Sequence, residues 1–306
     1  MSFDHVAVIG LGLIGGSVGL AIQQYLPDIT VSGYDGDPDV RRRAGELGLV
    51  QHMHDSAAAA VAGADLVILC VPVGAMEAAA RDMAPGLRPD VVISDVGGSK
   101  AAVTQALQAA LPGRCIIPAH PVAGTENSGP EAGFATLFRQ RWCIVTPPVG
   151  TPADKVADVV TLWEGLGAMV ECMDAAHHDM VLAVTSHIPH LIAYTIVGTA
   201  SDLEQVTRSE VIKFSAGGFR DFTRIAASDP TMWRDVFLNN REAVLEMLDR
   251  LLTDLGMMRE AIRAGDGPTM FDLFSRTRSI RRSIVEFGQD DARPDFGRGD
   301  HGTRKD

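Results

Sequence analysis

The chain has 306 residues, 46% hydrophobic and 22% charged, an ordinary globular composition. It is long enough to bury a sizeable core and, at about 100 to 200 residues per domain, to form two domains. A formal net charge of −12 argues against a nucleic-acid partner or an anionic membrane surface, either of which calls for a basic patch, and leaves open a small anionic substrate held by locally placed arginines.

In chain order, Val6-Ala7-Val8-Ile9 reads as a strand, and Gly10-Leu11-Gly12-Leu13-Ile14-Gly15 follows it directly. Gly10 permits a tight turn, Gly12 lets backbone approach a pyrophosphate, and Gly15 allows close helix-to-strand packing. The N–H groups of the helix beginning around Leu13 and Ile14 face the phosphates. The next strand, residues 29 to 34, ends in Asp35, about 20 residues past Gly15, where a carboxylate accepts from ribose hydroxyls and repels a 2′-phosphate. That favours NAD over NADP, and Asp37 adds to the repulsion. Two alternatives stay open: Asp35 as a turn or capping residue, and Arg41, Arg42 and Arg43 as a 2′-phosphate site instead of a solvated helix face beginning at Pro38.

Further strands are expected at residues 65–71, 91–95, 115–118, 142–146 and 169–172, alternating with helices, which predicts a parallel sheet with helices on both faces. Val71 and Pro72, at the end of one strand, border the cofactor. Ser99, in Asp95-Val96-Gly97-Gly98-Ser99-Lys100, either holds an imidazole or substrate oxygen or caps the helix near Lys100. His120 opens the loop His120-Pro121-Val122-Ala123-Gly124-Thr125-Glu126, at a sheet edge where ligands collect. From Asp174 onward, apolar spacing such as Ala243, Val244, Met247, Leu248, Leu251, Leu252 and Leu255 is helical. The reading is an α/β Rossmann-like dinucleotide-binding domain over 1–172, an all-helical domain over 173–288 and a disordered tail over 289–306.

Cys70, Cys115, Cys143 and Cys172 fall in apolar runs without metal spacing and read as buried reduced thiols. No leader is expected at the N-terminus, and no apolar run is expected to reach the roughly 20 residues of a membrane span. The chain reads as cytoplasmic.

In the helical half, Pro189 interrupts Ser186-His187-Ile188-Pro189-His190, where His187 and His190 could share a pocket; a zinc site fails for want of a third ligand. His177-His178 has no assigned chemistry. Arg220 and Arg224 would share a helix face, or pair as exposed charges with Asp221 and Asp229, and Trp233 walls a pocket or sits in the core.

The His120-to-Glu126, Asp95-to-Lys100 and Ser186-to-His190 segments, with Gly217-Gly218-Phe219-Arg220-Asp221-Phe222-Thr223-Arg224-Ile225-Ala226 and Asp229-Pro230-Thr231-Met232-Trp233-Arg234-Asp235, together resemble the prephenate and arogenate dehydrogenases of tyrosine biosynthesis. The resemblance runs from about residue 5 to residue 288. It implies an NAD-dependent oxidative decarboxylation, with His120 as general base, Ser99 hydrogen-bonded to it, His190 in the active site and Arg224 on a substrate carboxylate. Arg220, Thr125, Glu126 and Trp233 are expected around the substrate. It also implies a homodimer through the helical domain, with prephenate preferred or both substrates used. Two rivals are a hydroxyacid or imine reductase, for which Lys213 is the one available lysine, and a non-catalytic NAD-sensing module, which would not need His120.

Overall fold

The computed structural model describes residues 2–125, 127–207 and 217–286, side chains excepted at 203–207 and 284–286. Six parallel strands form the main sheet: β1 (His5–Ile9), β2 (Thr30–Tyr34), β3 (His52–Met53), β4 (Leu66–Leu69), β5 (Val92–Asp95) and β6 (Cys115–Ile116), in the order β3-β2-β1-β4-β5-β6. Side chains alternate across the sheet. Val6, Val8, Leu66 and Ile68 enter one core with Val18, Ile22, Phe138 and Trp163; Ala7, Ile9, Val67 and Leu69 enter another with Met76, Met83, Ile93 and Leu107. Burial on both faces explains why these strands read as continuous apolar runs. The order reverses between β1 and β4, which opens a crevice at their carboxyl ends.

The intervening helices are α1 (Leu13–Tyr25), α2 (Pro38–Glu46), α3 (Ala57–Val61), α4 (Met76–Met83) and α5 (Ala101–Ala110). Beyond β6 the structure departs from a single parallel sheet. The chain leaves through Ile117 and Pro118 into β7 (Ala119–Pro121), which pairs antiparallel with β8 (Trp142–Val145); after α6 (Ala153–Gly165), β9 (Met169–Cys172) pairs parallel with β8. The strand expected at 115–118 is thus split between two sheets, with Ile117 N–H still bonded to Ile93 and the Pro118 carbonyl already bonded to Thr146. Residues 142–146 and 169–172 belong to this second, mixed sheet. The thiols are corrected as well: Cys143 is buried, Cys70 and Cys115 are half-buried, and Cys172 is exposed, all four being free.

The helical half begins with α7 (Ala175–Leu182), capped by the Asp174 side chain on His177 N–H, and continues through a π-helical turn, Ala183–His187, into α8 (Ile188–Thr207). Pro189 has no N–H to continue the ladder, and the wider turn just before it absorbs the break. The continuous helical run Ala175–Asp202 is long and apolar enough, by length and composition, to cross a membrane, contrary to the expectation from the sequence. Its first half, however, carries Asp179, His178 and His187, all buried and hydrogen-bonded within the protein. Then come α9 (Gly217–Thr223), a 3₁₀ turn at Arg224–Ala227, α10 (Pro230–Asn239), α11 (Arg241–Ala264) and α12 (Gly267–Glu286).

One compact unit runs from Met1 to Met247 and so contains both sheets and the helices through α10. A second begins at Leu248, within α11. The tail expected over 289–306 lies outside the described residues, as does Lys213.

Candidate active site

At the crevice, Gly10 turns the chain out of β1 with φ 96°, where a Cβ would stand 2.6 Å from the Cys70 carbonyl oxygen. A Cβ on Gly15 would lie 1.8 Å from the Gly10 oxygen, so α1 packs on the turn in a way only glycine allows. Gly12 differs: nothing lies within 4 Å of its Cβ position. It is the N-cap of α1, which has no side-chain cap and no acidic residue in its first turn. An uncapped helix start behind an open glycine fits a pyrophosphate. Leu13 and Ile14 form this first turn, Val71 beyond β4 packs against Gly10, and Pro72 after it is exposed.

Asp35 follows β2 and accepts from the Leu11 N–H at 2.8 Å and the Asp37 N–H at 3.0 Å, tying the glycine turn to the second strand. The cap of α2 is Asp37, bonded to the Asp39 N–H. Arg41 donates to the Asp35 and Gly36 carbonyls and lies over the Tyr34 ring. Arg42 pairs with Asp39 and Glu46, and Arg43 with Glu46 and Glu131.

His120 lies in β7, opposite Ile144. Its Nδ1 is 2.8 Å from His178 Nε2, and His178 Nδ1 is 2.8 Å from Asp179 Oδ1. The two imidazoles meet edge to face, with centroids 5.1 Å apart. The Asp179 carboxylate also accepts from the Lys100 N–H at 2.7 Å and the Ala101 N–H at 2.9 Å, capping α5 from a distant helix. Ser99 therefore neither bonds the imidazole nor caps the helix. Its hydroxyl is buried and has no hydrogen-bond partner among the described residues, so the expected bond to His120 is absent and the cap belongs to Asp179. Gly98 approaches the other edge of the His120 ring, a Cβ there standing 3.9 Å from Nε2.

Lys100 is fully buried, with Nζ donating to the Asp95 carboxylate and, at 2.7 Å, to the Ala119 carbonyl, the residue before His120. Burial pushes the Lys100 ammonium down and the Asp95 carboxyl up, each opposed by the other's charge. Sequence reasoning missed Lys100, His178 and Asp179. Asp95 and Lys100, five apart across a Gly-Gly turn, offered a faint signal; for His178 and Asp179 there was none, because their partners lie 58 and 79 residues away.

His187 and His190 separate in role. His187 is buried, its Nδ1 lies 3.1 Å from Asn240 Nδ2, and its pKa is pushed down to about 4, chiefly by burial. His190 is half-buried, bonds the Ser186 carbonyl through Nδ1 at 2.8 Å, and stacks on Trp233 with centroids 3.6 Å apart. Trp233 is itself buried, contacts His187 edge to face, and has no partner for its Nε1 among the described residues. Of the two sequence readings of Trp233, its burial fits the core position. Arg224 is exposed and sits close enough to His190 for its charge to lower that imidazole's pKa, an effect smaller than burial. The segment is helical as expected, but α9 stops at Thr223 and Arg224 opens the 3₁₀ turn; Arg220 is exposed on α9. Thr125 is exposed and accepts from the Asn127 N–H, while Glu126 lies outside the described residues.

His120, His178 and His187 are all held below the ordinary imidazole value of 6.5, in each case first by burial. The unfolded chain therefore binds more protons than the folded one below that value, and folding stability should fall as pH drops from about 6.5 toward 4. Urea melts across that range check this; a flat profile from pH 7 to 4.5 would contradict it.

Residues 18–172 match the family model described as the prephenate dehydrogenase nucleotide-binding domain, and residues 174–276 match the prephenate dehydrogenase dimerization domain. The chain is 47% identical over 282 residues to a cyclohexadienyl dehydrogenase of Zymomonas mobilis, covering 92% of this chain and 96% of the relative. It is 33% identical to a prephenate dehydrogenase of Bacillus subtilis, covering 92% and 76%. A crystal structure of prephenate dehydrogenase from A. aeolicus with hydroxyphenyl propionate and NAD+ superposes with a TM-score of 0.86 at 31% identity, over 93% of this chain and 99% of that one.

Proposed function

Because the chain belongs to the prephenate dehydrogenase family, we propose that it is an NAD-dependent dehydrogenase that oxidatively decarboxylates prephenate, arogenate or both in tyrosine biosynthesis. The observation that carries this reading is His120, with Nδ1 held by His178 and the opposite edge turned toward Gly98. Such a ring, kept neutral by burial, is suited to take a proton at Nε2. The 47% identical relative bears a name that covers both ring acids, which favours dual use with prephenate among the substrates.

Bound in the Gly10–Gly15 crevice, NAD supplies the acceptor for a hydride from C4 of the cyclohexadienol. The chain's own residues handle the protons and charges. His120 removes the C4 hydroxyl proton, which raises electron density at C4. As the C4 oxygen becomes a carbonyl, the bond to the ring carboxylate breaks, carbon dioxide leaves, and its electron pair enters the ring as a phenolate. The phenolate takes the proton back from His120, so none is released. The buried Ser99 hydroxyl finds its partner in the substrate oxygen. Arg224 grips a substrate carboxylate, with its planar fork giving two bonds where lysine gives a point charge. His190 on Trp233 lines the same pocket, and Arg220 and Thr125 surround its mouth.

We also assign Asp35 to the ribose, which disfavours NADP, since its carboxylate stands at the end of β2. We take 1–172 as the NAD-binding domain and 173–288 as the substrate and dimerisation domain. Apolar side chains exposed on the helices, such as Ile196 and Val197 on α8 and Phe271, Phe274 and Ile280 on α12, support a homodimer through that domain. Four free cysteines support a reducing compartment, the cytoplasm.

The test is steady-state reduction of NAD and NADP by the purified protein with prephenate and, separately, arogenate. Rapid NADH formation with either acid is expected, and silence with both in a folded, NAD-binding protein would overturn the reading. In the same assay, Asp35→Ser is expected to shift the NAD-to-NADP ratio of kcat/KM about 10- to 100-fold toward NADP, the worth of one charged hydrogen bond. An unchanged ratio would remove Asp35 from the ribose.

A further inference from the structure

We propose that Asp179 and His178 form a relay that sets the tautomer of His120 and stabilises the proton it holds during turnover, a reading that rests on His120 being the base. Asp179 Oδ1, His178 Nδ1, His178 Nε2 and His120 Nδ1 form a continuous line of two 2.8 Å hydrogen bonds. A carboxylate only accepts, so His178 Nδ1 carries the hydrogen. In a neutral imidazole the other nitrogen is then an acceptor, so His120 Nδ1 must donate to His178 Nε2. The lone pair of His120 is left on Nε2, the edge that Gly98 approaches. The opposite tautomer of His120 would set two lone pairs against each other at 2.8 Å.

The far end of the line is anchored. Asp179 is fixed by the N–H groups of Lys100 and Ala101 at the start of α5, and its carbonyl accepts from Asn240 at 2.8 Å. His178 is fully buried. No such role is open to Ser99, whose hydroxyl does not bond the ring.

The proton balance of the reaction gives the relay its task. The C4 hydroxyl proton passes to His120 Nε2, stays through hydride loss and decarboxylation, and returns to the phenolate oxygen. While it is held, the Nδ1–H of His120 can move to His178 Nε2, which brings the positive charge beside the Asp179 carboxylate; the shift reverses as the phenol forms. Around His120, the charges of His178, Lys100 and His187 all oppose protonation. Around His178, Asp179 and Asp95 favour it and Lys100 opposes it. Burial opposes a charge on both rings, and the Asp179 carboxylate bonded to His178 Nδ1 is the group that counters it one imidazole back. Neither His178 nor Asp179 touches the reacting atoms, so both are positioning residues.

The deciding experiment is ¹⁵N NMR of the histidine side chains in the full-length wild-type protein at neutral pH, with resonances assigned by His120→Asn and His178→Gln. His120 is expected as the Nδ1–H tautomer, and an Nε2–H tautomer would overturn the relay whatever the activity. Alongside it, His178→Gln keeps an acceptor within reach of His120 but cannot pass a proton toward Asp179. Its kcat is expected to fall about 100-fold, with the KM for prephenate and the NAD affinity within about threefold and the acid limb of kcat/KM displaced. A kcat within about threefold of wild type, with an unmoved limb, would also overturn it. If the variant does not fold, the wild-type tautomer decides. A wild-type protein inactive with prephenate and arogenate sinks the proposed function separately, because the tautomer is read without turnover.

Discussion

Replacing His120 with asparagine is expected to lower kcat with prephenate by about 10²- to 10⁴-fold while leaving NAD binding intact, the range for loss of one positioned general base. Asparagine is the informative change because its amide occupies the place of Nδ1 and keeps a bond to His178, whereas nothing replaces the Nε2 lone pair. The loss should appear in kcat and kcat/KM together, as for an interaction made only in the transition state. A pH profile sharpens the test. The His120 imidazole is held well below 6.5, first by burial and then by His178, Lys100 and His187, so it remains a neutral base at lower pH than a free histidine. The wild-type kcat/KM should therefore hold steady down to about pH 6.5 and fall only below it, and the variant's residual rate should lack that limb. A variant with a third or more of the wild-type kcat would remove His120 from the chemistry.

Lys100→Met is expected to cost about 3 to 5 kcal/mol of folding stability at pH 7, because it strands Asp95 in a site where both side chains are fully buried. Methionine nearly conserves the volume, so the effect isolates the charge. The sign of the pH dependence follows from Asp95. Burial raises its carboxyl above the ordinary aspartate value, so the folded variant keeps a proton that the unfolded chain gives up. The deficit should therefore grow as pH rises from about 4 and shrink on acidification. The companion change Asp95→Asn, made together with Lys100→Met, should recover part of the loss. Urea denaturation of the three proteins measures this, and a single variant within about 1 kcal/mol of wild type would mean that the pair contributes little. Activity should fall as well, since Lys100 Nζ holds the Ala119 carbonyl next to His120.

Much of the nucleotide half was legible because its determinants are local. The glycines at 10 and 15 answer to backbone within a few residues or on the adjoining strand, Gly12 stands open at the start of α1, and Asp35 follows its strand at the expected interval. Two-residue β3 carried too little pattern to be seen, and the run at 115–118 hid a change of sheet because both halves are apolar. Among the site residues, His120 and Trp233 stand in structured, partly or wholly buried positions, whereas the bond foreseen for Ser99 is made instead by His178.

The linear order of residues was enough to establish a strand-glycine-helix nucleotide site, a helical second half and the residues that carry the family resemblance, since periodicity, turn chemistry and short motifs act over a few residues of chain. Only the tertiary structure decided what holds His120. Its partner, the cap of α5 and the cation behind Ala119 come from α7 and from the buried Asp95–Lys100 pair, and such contacts are chosen by the packing of elements that sequence spacing does not relate. Burial makes these contacts obligatory: polar groups removed from water must find partners wherever the fold brings them, however far apart they lie in the chain.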